Sequence, residues 1–162
     1  MNVQVYLCHL RRRMGTRRTS HKGIFTPKFP NKYVGNANNI VYRSSWELKF
    51  MHQLDQNEKV LSWASEELVI KYFDPVSNRI RRYFPDFLVR ALTRTGEITV
   101  TIIEIKPDYQ TNLRTAPKRT SRQYLQEVRD VATNHAKWNA AVEFAKKQGW
   151  NFQVITEKNF SF

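Results

Sequence analysis

The chain has 162 residues, 41% of them hydrophobic, which suffices for one packed core and falls short of two. Its 27 lysines and arginines against 14 acids leave a formal net charge of +13, so a polyanionic partner is expected, nucleic acid first and an anionic surface or acidic protein second. A single cysteine, Cys8, excludes an internal disulfide framework and a Cys-rich zinc site, and no apolar run approaches the roughly 20 residues that cross a bilayer, so no membrane partner is expected.

The first ten residues are mildly apolar, but Arg11, Arg12 and Arg13 follow them, the reverse of a secretory signal, and export is not expected. Met14 opens a second, more typically polar start. Residues 11–32 carry eight basic side chains, among them Arg17, Arg18 and Lys22, with no sustained period; they read as a basic arm for phosphate contact or as a solvated tail. The domain boundary is set at 1–22 for the arm and 23–162 for a single domain.

Ser44 with Glu47 three residues on forms a capping box, and Trp46, Phe50 and Leu54 recur every four residues, predicting a helix over 45–56. Residues 67–73 read as a strand, Asp74 to Asn78 as a turn, and 79–92 as a second strand interrupted at Pro85, which has no amide to give to a ladder. Such an interruption can re-aim Asp86. Gly96 closes a hairpin into a strand over 97–105, on which Glu104 and Lys106 share one face while Ile103 and Ile105 take the other. Residues 107–122 form a long irregular segment with Arg114, Lys118, Arg119 and Arg122, suited to contact with a substrate. One long or two abutting helices follow from Gln123 to Gly149, and 150–155 form a last strand. The order is α-β-β-β-α-β, an α/β fold.

Asp86 and Glu104 are hard oxygen ligands suited to Mg²⁺ or Mn²⁺, the Ile105 carbonyl can add a third, and Glu47 can complete the set if its helix packs across the same sheet end. Lys106 beside such a metal can orient a water or stabilise charge on a phosphate in its transition state. Each residue also has a plainer reading: Glu104 and Lys106 as a surface ion pair, Asp86 as a turn former, Glu47 as a helix cap.

The combination of Tyr42 to Glu47, Phe84-Pro85-Asp86-Phe87 and Glu104-Ile105-Lys106-Pro107 resembles the PD-(D/E)XK nuclease superfamily, and within it the TnsA-like endonuclease fold and the head completion nucleases of large contractile-tailed phages. The resemblance covers about residues 23–155. It implies a restriction-endonuclease-like core with a mixed central sheet and a metal-dependent endonuclease acting on double-stranded DNA. It further implies Glu47, Asp86 and Glu104 as metal ligands, Lys106 as catalytic lysine, and a role late in head assembly. That role brings head, neck or portal proteins as partners and the virion or the infected cytoplasm as location. Basic residues expected on DNA are Arg17, Arg18, Lys22, Arg43, Arg114, Lys118, Arg119 and Arg122. Two other roles stay open: a head or neck protein that keeps the fold without turnover, and a transposon-end-cleaving enzyme.

Overall fold

The computed structural model describes residues 22–159. Strand β1 (Gly23–Phe25) pairs antiparallel with β2 (Ile40–Tyr42), and a short 3-10 turn over Pro30–Lys32 lies between them. Helix α1 (Ser45–Gln56) begins where Ser44 Oγ accepts the Glu47 amide at 3.1 Å and buries Phe50, Met51, Leu54 and Asp55. After it come β3 (Val60–Ser65), a hairpin of β4 (Ile70–Asp74) and β5 (Arg79–Tyr83), then β6 (Phe87–Leu92) and β7 (Ile98–Ile105). Helix α2 (Arg122–Gln148) crosses over to β8 (Asn151–Ile155). Gly149 ends α2 with a left-handed φ of 69°, a conformation that costs glycine little.

The central sheet has the order β3-β6-β7-β8, antiparallel except for the parallel β7/β8 pair that the α2 crossover makes possible. Its two faces bury different layers. Ile103 and Ile105 join Phe50, Met51, Trp63 and Phe87 on the α1 side. Ile102 joins Ile70, Tyr72, Tyr83, Ala141 and Ala145 under α2 and the β4/β5 hairpin. The period of two therefore sends Glu104 to the α2 side with Ile102.

The structure departs from the sequence expectations in four places. The basic arm does not extend to 32: Asp55 accepts the amides of Lys28 (2.7 Å) and Phe29 (3.1 Å), and Lys32 Nζ donates to the carbonyls of Asp55 and Asn57. The strand over 79–92 is two strands in two sheets, because the chain turns out of the hairpin at Phe84-Pro85-Asp86 and enters the central sheet at Phe87. The strand expected over 67–73 starts at Ile70 and belongs to that separate hairpin. The edge of the central sheet is instead β3, where no strand is expected, so the chain holds more strands than the order α-β-β-β-α-β contains.

Candidate active site at one end of the central sheet

The C-terminal ends of β3, β7 and β8 and the N-terminal end of β6 meet at one end of the sheet. Phe87 pairs with Ile103, so one step beyond the ladder Asp86 stands opposite Glu104. Asp86 Oδ2 accepts the Ile105 amide at 2.7 Å, which makes that acid part of the strand end rather than a loop residue. Glu104 is 3% exposed; its Oε2 accepts the Tyr83 hydroxyl at 2.7 Å and its Oε1 lies 3.0 Å from Lys106 Nζ. The Lys106 amide donates to the Ile155 carbonyl at 3.0 Å, so β8 anchors the lysine's backbone while 26% of its side chain reaches solvent. Asp86, Glu104 and Lys106 are thus brought together.

Their charges are coupled. Burial first, and the neighbouring Glu104 carboxylate second, push Asp86 up to about 8, against the pull of Lys106 and the Ile105 amide. Burial works to lower Lys106, but Glu104 and Asp86 prevail and hold it above the ordinary lysine value. Tyr83 is raised by burial and by Glu104, so it remains a neutral phenol that donates. Two adjoining acids against one ammonium, one of them reluctant to ionise, form a donor set with unmet demand for positive charge. As a pair, Asp86 and Glu104 fit a hard divalent cation.

Glu47 is not part of that pair. Its Oε2 accepts the Arg43 amide and its Oε1 the Ser44 hydroxyl, both at 2.8 Å, so both oxygens serve the start of α1. It reaches Asp86 and Lys106 only through space. Among the described residues no three His, Cys, Asp or Glu side chains gather so as to hold a metal ion. Ile105 is buried at the strand end, with its amide given to Asp86.

Tyr83 and Glu66 belong to this neighbourhood and were missed from sequence. Tyr83 ends a strand two residues before Pro85, and only the break at Pro85 hints that its hydroxyl turns toward Glu104. Glu66 sits at φ 56°, a left-handed conformation rare for a residue with a side chain. Its amide donates to the Asp86 carbonyl at 3.3 Å, and its carboxylate takes a two-point grip from Arg43, Nε at 3.0 Å and Nη2 at 2.8 Å. A backbone held in that state costs on the order of 1–3 kcal/mol and persists where surrounding contacts impose it.

A cleft of about 600 Å³ opens from Lys106 along α2, past Tyr109 and Gln110 to Arg129 and Lys137. Of the basic residues expected on DNA, Arg17 and Arg18 lie outside the described residues. Lys22, Lys118, Arg119 and Arg122 are exposed. Arg43 is committed to Glu66, and Arg114 Nε binds Glu127 at 2.7 Å with its guanidinium over the Tyr124 ring. Asn134 Nδ2 donates to the Gln110 carbonyl, and His135 Nε2 lies 2.7 Å from that of Thr111, so the start of the 107–121 segment is tied to α2.

The chain is 35% identical over 145 residues to the head completion nuclease of Enterobacteria phage T4, covering 85% of this chain and 92% of that protein. No solved structure matches it. The family model for the TnsA-like endonuclease N terminal matches residues 57–157, a span that holds Asp86, Glu104 and Lys106 and begins after Glu47. With that match over most of the described domain and the pairing of Asp86 with Glu104 beside Lys106, the chain belongs to the TnsA-like endonuclease family.

Proposed function

We propose that this protein is a divalent-metal-dependent endonuclease that cuts double-stranded DNA during completion of a phage head, as the name of its T4 relative suggests. The observation that carries the reading is the contact set in which Asp86 and Glu104 adjoin at a strand end with Lys106 bonded to Glu104. Asp86 and Glu104 would hold Mg²⁺ or Mn²⁺, which when bound supplies a Lewis acid for the phosphate and a lowered pKa for water.

The remaining work falls to the chain's own groups. Tyr83 keeps Glu104 in one orientation by donating to Oε2, and the Ile105 amide does the same for Asp86 Oδ2. Lys106, charged throughout the neutral range and partly exposed, is free to turn from Glu104 toward a phosphate oxygen and offset the charge that grows there. Open to solvent and lined by Arg81, Lys106, Arg129 and Lys137 against Asp74, Glu127 and Asp130, the cleft beside Lys106 gives a phosphodiester room to approach the lysine. The head or neck and portal proteins would be the protein partners in the virion and the infected cytoplasm.

The test is plasmid cleavage with Mg²⁺ or Mn²⁺ at low salt. The wild type should cut, and Asp86→Asn and Lys106→Ala should each lose on the order of 10²–10³-fold in rate. Equal cutting by both variants would overturn the assignment. The engagement of both Glu47 oxygens in helix capping favours a second reading, a head protein that grips DNA without turnover. A wild type that binds plasmid yet never cuts in either metal would select it.

A further inference from the structure

The β4/β5 hairpin stands apart from the central sheet, and its outer face has no covering element among the described residues. Ile70, Tyr72 and Tyr83 turn inward to the α2 layer. On the outer face Lys71 lies directly opposite Arg82, and Phe73 opposite Ile80. Ile80 is 66% exposed, Phe73 52% and Phe84 42%. Like charges placed directly across a strand pair destabilise the pair. Among the described residues neither Lys71 nor Arg82 has an ion pair. Arg79 and Arg81 add to the same ribbon, whose one acid, Asp74, is buried, bonded to Ser77 and the Val76 amide, and 3.7 Å from the Arg81 guanidinium.

This charge is laid out as a track. A shallow surface of about 590 Å³ is lined by Lys71, Arg82, Phe84, Arg81 and Lys137. The cleft beside Lys106 is lined by Arg81 and Lys137 as well, so those two side chains join the hairpin surface to the candidate active site. The hairpin is also bonded to the chemistry: Tyr83 at the end of β5 donates to Glu104, and two residues later the chain supplies Asp86.

We infer that the outer face of the β4/β5 hairpin is the surface that docks duplex DNA, with Lys71 and Arg82 on phosphates and Arg81 and Lys137 leading the backbone to Lys106. The occupant follows from charge: Lys71 and Arg82, which have no ion pair among the described residues, suit the phosphates of a polyanion, and the exposed Phe73 and Ile80 beside them suit the sugars and apolar base edges of a groove. A two-stranded ribbon is also narrow enough to lie against a DNA groove. None of the basic residues singled out from sequence belongs to this hairpin. The inference rests on the endonuclease reading only for its substrate, and binding can be read without cutting.

The experiment is fluorescence anisotropy of a short labelled duplex with the full chain in EDTA, titrated over a range of salt. The double variant Lys71→Gln/Arg82→Gln should bind roughly ten- to a hundred-fold more weakly and flatten the slope of log affinity against log salt by about 2, near 0.9 for each lost phosphate contact. The charge-matched variant Lys146→Gln/Lys147→Gln, on the far end of α2, should bind like the wild type, and Arg82→Lys should keep most of the affinity. An unchanged affinity in the hairpin variant, or an equal loss in the α2 variant, would overturn the docking surface and leave the ribbon to an acidic protein partner. Loss of binding in the hairpin variant together with a wild type that never cuts would keep the docking surface and remove the endonuclease reading.

Discussion

At the scale of single residues, the site is defined by which acid is asked to ionise against its surroundings. Asp86 in the fold titrates near 8, whereas in an unfolded chain it titrates near the usual ~3.9. Its folded value is raised, so its contribution to stability is full at acid pH below the unfolded value and is lost as pH rises toward 8. Thermal unfolding in EDTA should therefore show Tm falling between about pH 4 and 8, and Asp86→Asn should flatten that fall. An Asp86→Asn protein with the wild-type pH profile would mean that the carboxyl is not strained. Tyr83→Phe removes only the hydroxyl that orients Glu104. Cleavage should drop roughly 10- to 100-fold with the fold retained, the scale typical when a partner that orients a metal ligand is lost. Asp86, Glu104 and Lys106 were legible in the sequence because strand periodicity puts Glu104 and Lys106 on one face and the proline break marks Asp86. Tyr83 and Glu66 were not, since each acts through a turn of the backbone that no spacing of apolar residues encodes.

At the scale of elements, what could be read followed how strongly each segment signals its period. Helix α1 runs from Ser45 to Gln56 as its capping box indicates, and Gly149 closes α2 where expected. Strand β3, Val-Leu-Ser-Trp-Ala-Ser, escaped notice because its apolar residues come in pairs rather than alternating, as suits a strand that buries Val60, Trp63 and Ala64. Strands β1 and β2 have three residues each, too few to show a period. The packing of residues 28–32 hangs on Asp55, a buried acid that reads from sequence as one more polar residue at a helix end. Asp55→Ala leaves the Lys28 and Phe29 amides without their acceptor and should cost ~1–3 kcal/mol. Limited proteolysis should then cut within residues 22–32 well before the sheet, and a variant as resistant as the wild type would show that this segment is held by other contacts.

At the scale of the whole molecule, six of the net thirteen positive charges lie in residues 1–22, ahead of the packed domain. Removing those residues should flatten the salt dependence of DNA affinity while cleavage at low salt persists; an unchanged slope would assign all phosphate contact to the domain. The domain itself gathers its reactive groups within a short stretch, since Asp86, Glu104 and Lys106 all belong to the two strands of one hairpin and its end. The last strand comes from far along the chain, after the 27 residues of α2, and only its Ile155 carbonyl fixes the Lys106 backbone. Order of assembly follows from that single bond. The acids can adjoin as soon as the β6/β7 hairpin closes, but the lysine is anchored only when β8 slides in beside β7, a pairing that must wait for a long loop to close. On the proposed function, a growing chain would therefore bring its two acids together first and fix its lysine only after β8 has been made and docked.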